Sequence, residues 1–162
     1  MTRFLVILCI VLWLIGLVVC LFSAPISPDV HAMILAIGDH YGVPRSVANQ
    51  LHIEESGDWR SGTWGDAAAV GPVGSDGFRC RGLYQLNPRI EAWLVARFYP
   101  HEARYFNVYN PLDNATVALS YLAWLHRQLG TWYAAACFYN AGRVAYVPEE
   151  TREYAARIIE AR

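Results

Sequence analysis

Two adjacent carboxyl groups, Glu54 and Glu55, end a segment whose apolar residues recur at helical spacing. Residues 45–56 (RSVANQLHIEES) predict a helix that stops at Gly57. On its helical wheel, the centre of the apolar side lies about 35° from Glu55 and about 65° from Glu54. Burial and the negative end of the helix dipole should therefore raise the pKa of Glu55, as a general acid toward a glycosidic oxygen requires. The alternative is that both carboxylates form a solvated helix end.

The elements around this helix are predominantly helical in pattern. Helices are expected over residues 28–40, 45–56, 88–98, 112–129, 131–140 and 149–161. Ser27 before Pro28 suits an N-cap, and Asp113 is expected to open the long helix. Residues 57–81 are rich in Gly, Asp and Ser, which favours a long loop or small hairpins. The expected fold class is a mainly α single domain.

Composition and charge exclude several functions. Hydrophobic residues make up 55% of the 162 positions, which is typical of one folded domain rather than a disordered chain. The formal net charge is -1, and all 13 basic residues are arginines scattered along the chain. No basic stripe could neutralise phosphates, so nucleic acid is not an expected partner. Cys-x-x-Cys and metal-ligand clusters are absent from the sequence, which argues against a metal, and no cofactor is expected.

An uncharged apolar run over residues 4–22 predicts a membrane anchor. As a helix it would reach roughly 28 Å, about the thickness of the bilayer's hydrocarbon core. A cleaved signal peptide is the alternative, but the only plausible cut, after Ala24, is poor because Pro25 follows it. Arg3 precedes the run, which places the N-terminus in the cytoplasm. Residues 1–25 are thus expected to be an anchor and linker in the bacterial inner membrane, with residues 26–162 as a periplasmic domain.

A set of four segments then occurs in one order along the chain. They are Glu55 with Ser56, residues 82–88 (GLYQLNP), residues 114–122, and residues 138–142 (FYNAG) together with residues 148–154 (PEETREY). In this order they resemble the soluble lytic transglycosylase (SLT) family, the goose-lysozyme-like enzymes of peptidoglycan. The resemblance covers about residues 30–160. It implies an α+β lysozyme-like fold and peptidoglycan glycan strands as the partner.

The resemblance also implies roles for particular residues. Glu55 matches the single catalytic acid/base of the family. The residues that match its substrate-binding positions are Ser56, Gln85, Tyr139, Asn140 and Tyr154. Aromatic faces and directional amides are the groups that bind sugars. The alternatives are that the two tyrosines are core aromatics and that the two amides are turn or cap residues.

The reaction implied by the family is non-hydrolytic cleavage of the MurNAc-β-1,4-GlcNAc bond, which leaves 1,6-anhydroMurNAc ends. Hydrolysis by two carboxylates is the first alternative, and it needs a second acidic residue across the scissile bond. Asp58, Asp66 and Asp76 are candidates for that residue. A peptidoglycan-binding module that has lost turnover is the second alternative.

The chain departs from the family pattern between Glu55 and Gln85, which are thirty residues apart rather than about twenty. Residues 59–78 are therefore expected to contain an insertion that walls or covers the glycan groove. Trp64, between two glycines, is its best candidate for stacking on a sugar ring, although its aromatics could instead fasten the loop to the core.

Two smaller features concern the same turn. Tyr84 stands where the family has Met, so the family pattern does not predict the width of the groove. Cys80 and Cys137, each before a family segment, could form a disulfide across the site or remain buried thiols.

Overall fold

Six α-helices and one β-hairpin make up the computed structural model, which describes residues 25–58, 60–101 and 103–161. The helices are α1 (Pro28–Tyr41), α2 (Arg45–Ser56), α3 (Pro88–Phe98), α4 (Pro111–Leu129), α5 (Trp132–Ala141) and α6 (Glu149–Glu160). The strands β1 (Val70–Val73) and β2 (Arg79–Arg81) pair antiparallel, and a 3-10 turn covers Ala103–Tyr105. The mainly α single domain expected from the sequence is confirmed.

Local capping explains most helix ends. The Ser27 hydroxyl oxygen accepts a hydrogen bond of 3.3 Å from the backbone N–H of Val30, so the predicted N-cap of α1 is confirmed. Helix α4 begins at Pro111, one residue before the predicted start, with Asn110 as its cap and Asp113 in its first turn. Proline suits that first position because its missing N–H would have no helical partner there.

The core is organised around α4, whose side chains from Asn114 to Leu125 are mostly buried. Helices α1, α3 and α5 pack against α4, and α6 packs against both α2 and α5. The packing of α6 on α2 brings two residues distant in sequence, Tyr154 and Arg157, to the two glutamates at the end of α2.

The segment between α2 and α3 is tied to α2 before it forms the hairpin. The backbone N–H of Gly65 donates a hydrogen bond of 3.2 Å to Nδ1 of His52. A Cβ at Gly65 would collide with the Ser56 hydroxyl oxygen and the His52 carbonyl oxygen, so only glycine allows this close approach. Burial, together with the nearby His31, lowers the pKa of His52 to about 3, which keeps this imidazole neutral as an acceptor.

The predicted membrane segment, residues 4–22, lies outside the described residues. Among the residues that are described, no helix is both long enough and apolar enough to span a bilayer.

Candidate active site

Glu55 lies in the last turn of α2, at the end of an open groove with a volume of about 830 Å³. Burial raises the pKa of its carboxyl from 4.5 to about 7. The Tyr154 hydroxyl donates a hydrogen bond to Oε1 of Glu55, which opposes that rise, and the nearby Glu54 carboxylate adds to it. The net result is a carboxyl that can release and recover a proton near neutral pH. The raised pKa predicted from the helical wheel is confirmed.

The neighbouring Glu54 has the opposite environment. Its two oxygens accept hydrogen bonds of 2.9 and 3.0 Å from Nε of Arg157, and Nε2 of Gln50 donates to Oε1 at 3.1 Å. Its side chain is only 2% exposed, so the alternative of two solvated carboxylates at the helix end is wrong. The two adjacent carboxyls therefore have different partners, a guanidinium at Glu54 and an uncharged tyrosine hydroxyl at Glu55.

Three walls surround the groove in front of Glu55. The β-hairpin forms the first, from Gly71 to Cys80. Residues 85–90 and Leu94, at the start of α3, form the second, and residues 138–142 at the end of α5 form the third. Each wall comes from a segment that the sequence identified, but only the packing of α3 and α5 on α4 places them around one carboxyl.

Gln85 and Asn140, two of the predicted substrate-binding residues, both lie on the groove lining. Nε2 of Gln85 donates hydrogen bonds to the carbonyl oxygens of Gly82 at 2.8 Å and Ala69 at 3.3 Å. Oδ1 of Asn140 accepts a hydrogen bond of 2.8 Å from the Thr151 hydroxyl. Each amide therefore has one end held by the protein, which fixes its orientation in the groove.

The turn that carries Gln85 packs closely against the backbone at Val108. Gly82 has a φ of +77°, and a Cβ there would collide with the Val108 carbonyl oxygen, so glycine is required. Gln85 itself has a left-handed φ of +48°, an uncommon conformation for a residue other than glycine. Strain of this kind is often found where a side chain must be aimed at a ligand.

Tyr84 does not change the width of the groove. Its side chain is fully buried and its hydroxyl donates a hydrogen bond of 3.0 Å to the Ala48 carbonyl oxygen. Its own carbonyl oxygen accepts a hydrogen bond of 2.8 Å from the hydroxyl of Tyr139, which lines the groove. Tyr84 therefore fills the core beneath the turn.

Ser56 and Tyr154 lie beside Glu55, and their hydroxyls donate hydrogen bonds to other residues of the protein. The Ser56 hydroxyl donates to the Leu83 carbonyl oxygen at 2.6 Å, which ties the end of α2 to the turn before Gln85. Tyr154 is buried, with its hydroxyl on Glu55. Of the six predicted site residues, four line the groove and these two support it from behind.

Trp64, the aromatic expected to stack on a sugar, is not among the residues that line the groove. Its ring is half-buried against the core and stacks on His31, with ring centroids 4.1 Å apart. Phe78 from the same segment lines the groove instead and is 45% exposed. The flanking glycines of Trp64 suggested an exposed ring, but the contact between Gly65 and His52 draws this stretch onto α2.

The three aspartates that could supply a second catalytic carboxyl lie in different places. Asp58 and Asp66 accept hydrogen bonds within their own loop, from Ser61 and Ala68 respectively. Asp76 lines the groove, where hydrogen bonds from the Asn87 amide at 2.8 Å and the Phe78 N–H at 3.0 Å lower its pKa.

The two cysteines of the domain are free thiols. Cys80 lines the groove and burial raises its pKa, whereas Cys137 is buried in α5. The described part of the chain contains no group of three or more His, Cys, Asp or Glu side chains that could hold a metal ion.

Comparison with protein families agrees with this geometry. The sequence model of the transglycosylase SLT domain matches residues 32–161, which is most of the chain. None of the curated proteins compared with the chain matches it. The chain therefore belongs to the SLT transglycosylase domain family, whose function is cleavage of peptidoglycan by a transglycosylase-type reaction.

Replacing Tyr154 with phenylalanine is expected to move the alkaline limb of the pH profile of kcat/KM to higher pH. The Tyr154 hydroxyl stabilises the ionised form of Glu55, so its removal raises the pKa of that acid further. The measurement is turnover of peptidoglycan from about pH 5 to 9. Tyr139→Phe is the control, because that hydroxyl binds a backbone carbonyl and should leave the limb in place. A limb that moves to lower pH in the Tyr154 variant would contradict the assignment.

Proposed function

We propose that this chain is a membrane-anchored lytic transglycosylase that cleaves MurNAc-β-1,4-GlcNAc bonds without water and uses Glu55 as its single acid/base. The observation that carries the proposal is the burial of Glu55 and the raised pKa of its carboxyl. Glu55 is a desolvated carboxyl with a pKa of about 7 that faces a groove large enough for a sugar chain. Its neighbour Glu54 is paired with Arg157 and is not among the residues that line the groove.

The reaction returns the enzyme to its starting state. Glu55 gives its proton to the glycosidic oxygen as the bond from that oxygen to C1 of MurNAc breaks. The substrate's N-acetyl group stabilises the positive charge at C1. The Glu55 carboxylate then takes the proton of the MurNAc 6-hydroxyl as O6 bonds to C1, which closes the 1,6-anhydro ring. One carboxyl serves both steps because its pKa lies near the pH at which it works.

The groove walls supply what this reaction needs from the protein. Gln85 and Asn140 present amide groups whose orientation is fixed by the backbone at Gly82 and by Thr151. The Tyr154 hydroxyl stabilises the carboxylate of Glu55 between the two proton transfers.

Hydrolysis is the second candidate, and the position of Asp76 favours it. This carboxylate lines the groove and its lowered pKa keeps it ionised at neutral pH. A water molecule held by Asp76 could attack C1 in place of the 6-hydroxyl, which would leave a reducing end.

Mass spectrometry of the fragments that the detergent-purified full chain releases from sacculi separates these candidates. Anhydro ends, one water lighter than reducing ends, are the expected product. Reducing ends that disappear in Asp76→Asn would establish the hydrolase. If sacculi are bound but nothing is released, the chain is a binding module instead.

Phe78→Ala is expected to lower kcat/KM on polymeric peptidoglycan about tenfold, the effect of ~1.4 kcal/mol. The exposed Phe78 ring lies on the groove wall, where it can stack on a sugar, so the melting temperature should change little. The half-buried Trp64 provides the comparison, because Trp64→Ala should lower the melting temperature by removing its packing on His31. Equal stability losses in both variants would argue against a substrate contact at Phe78.

Membrane attachment through residues 4–22 is part of the proposal and has its own test. After lysis the chain should remain with the bacterial inner membrane, and detergent but not high salt should extract it. Hydrophobic transfer anchors an uncharged 19-residue segment, and salt does not weaken that interaction. A soluble periplasmic form beginning near Pro25 would show that the segment is a cleaved signal.

A further inference from the structure

A second pocket, with a volume of about 330 Å³, lies at the middle of α5. Tyr133 and Cys137 of α5 form one side, Val144 and Tyr146 of the following loop form another, and Arg152 of α6 completes it. Its volume falls at the lower end of the range of about 300–1,000 Å³ that is usual for ligand sites. Neither its tyrosines nor its arginine has a role in the reaction at Glu55.

The pocket is one helical turn from the groove. Ala134 and Cys137 line the pocket, and four residues further along α5, Phe138 and Ala141 line the groove. Residues four apart lie on the same face of a helix, and one turn advances about 5.4 Å. These lining residues of the pocket and of the groove are therefore about one helical turn apart on α5.

Arg152 gives the pocket its chemical character. The guanidinium makes no hydrogen bond or ion pair with any other described side chain, although Glu149 and Glu153 share its helix. In contrast, Arg157 on the same helix is held by Glu54. A free guanidinium at the edge of a pocket is suited to bind a carboxylate through two parallel hydrogen bonds.

Tyr146 is the second unusual residue. Its φ of +52° is left-handed, which is strained for a residue that is not glycine, and its ring is 96% exposed. Backbone strain of this kind is found where it serves a site. Together with Tyr133, which is 41% exposed, Tyr146 offers aromatic surface at the mouth of the pocket.

We propose that this pocket binds the stem peptide of peptidoglycan, with Arg152 pairing to a peptide carboxylate and the two tyrosines packing on the peptide chain. The inference rests on the proposed function, because the stem branches from the MurNAc whose bond is held at Glu55. An extended peptide advances about 3.3–3.6 Å per residue, so two or three stem residues cover the helical turn between groove and pocket. Stem peptides carry free carboxylates, which matches the unpaired guanidinium.

The test compares Arg152→Gln with wild type on two substrates, using the full chain in detergent. The substrates are sacculi with intact stems and the same glycan after an amidase has removed the stems. The variant should lose about tenfold in kcat/KM on the first substrate and nothing on the second, since it loses one charge-assisted interaction. Arg127→Gln, an identical charge change at an exposed position on α4, is the control and should match wild type on both.

Tyr146→Gly tests the pocket without removing charge. Glycine relieves the left-handed strain, so the melting temperature should not fall. Turnover of the intact sacculi should nevertheless fall, because the aromatic surface is lost. Unchanged turnover would count against a contact between Tyr146 and the peptide.

A binding measurement separates this inference from the proposed reaction. Wild type should bind a synthetic stem tripeptide by isothermal titration calorimetry, and Arg152→Gln should bind it about tenfold more weakly, whether or not the chain cleaves glycan. Equal loss on both substrates, or tripeptide binding that is unaffected in the variant, would overturn the proposal.

Discussion

Glu55→Gln is expected to lower kcat on peptidoglycan by about 10²- to 10⁴-fold, the range that positioned acid/base catalysis contributes. Glutamine has the same shape but cannot give or take a proton. The side chain should still accept the hydrogen bond from Tyr154 through its amide oxygen. Binding of the variant to sacculi should therefore remain near the wild-type level, and circular dichroism should report the same helix content.

The stability of this variant should depend on pH in a defined direction. Burial raises the pKa of Glu55 from 4.5 to about 7, so between those values the folded chain holds a proton that the unfolded chain has released. Wild-type stability therefore falls as the pH rises through this window, whereas the glutamine of the variant does not titrate. At about pH 8 the variant should be more stable by on the order of 3 kcal/mol, and the difference should vanish near pH ~4. Urea unfolding at both pH values measures this.

Glu54→Gln is the matched control for the catalytic substitution. It removes the adjacent carboxyl, whose charge is already neutralised by Arg157, so activity should fall far less. If this variant is inactive while Glu55→Gln retains most of the activity, the assignment of the acid to Glu55 is wrong.

Arg157→Gln is expected to destabilise the fold by about 2–4 kcal/mol, because it leaves the Glu54 carboxylate, only 2% exposed, without its cation. The lower end of the range allows for Arg157 itself, which is 32% exposed and already partly solvated. Urea unfolding of the purified chain at neutral pH measures the loss.

The double variant with both Glu54→Gln and Arg157→Gln shows whether the uncompensated charge is the cause. With neither charge present, the desolvation penalty disappears and much of the stability should return. A double variant that is as unstable as Arg157→Gln would mean that the arginine acts through packing rather than through the ion pair.

The helices could be predicted because their signals are local. The start of α1 follows from Ser27 and Pro28, and the end of α5 follows from Gly142, which adopts the left-handed conformation of a C-cap. Helix α4 begins one residue before its predicted start, because Pro111 is its first residue and the Asn110 side chain caps it. Residues 57–81 were expected as loop or hairpin, and one hairpin forms there.

The sequence also predicts that Glu55 lies nearer the apolar side of α2 than Glu54, because the helical wheel depends only on spacing within the helix. It does not predict which residues pair with the two carboxyls. Arg157 and Tyr154 lie about a hundred residues further along the chain, and they reach α2 only because α6 packs against it. The degree to which burial raises the pKa of Glu55 depends on that packing as well.

Residues 59–78 show most clearly what the sequence does not predict. Trp64 and Phe78 are both aromatics in a glycine-rich stretch, and spacing does not distinguish them. A backbone hydrogen bond from Gly65 to His52 draws Trp64 onto the core, and the hairpin that follows carries Phe78 to the groove.

The sequence by itself determined the helices, the acidic residue that faces the apolar side of α2, and the family, since these depend on the order and spacing of neighbouring residues. Tertiary structure decided which side chains surround that acid, which aromatic of residues 59–78 lies on the groove lining, and where the second pocket with Arg152 lies. Those outcomes depend on contacts between segments distant in the chain, and such contacts are selected by the packing of the whole core rather than by any local pattern.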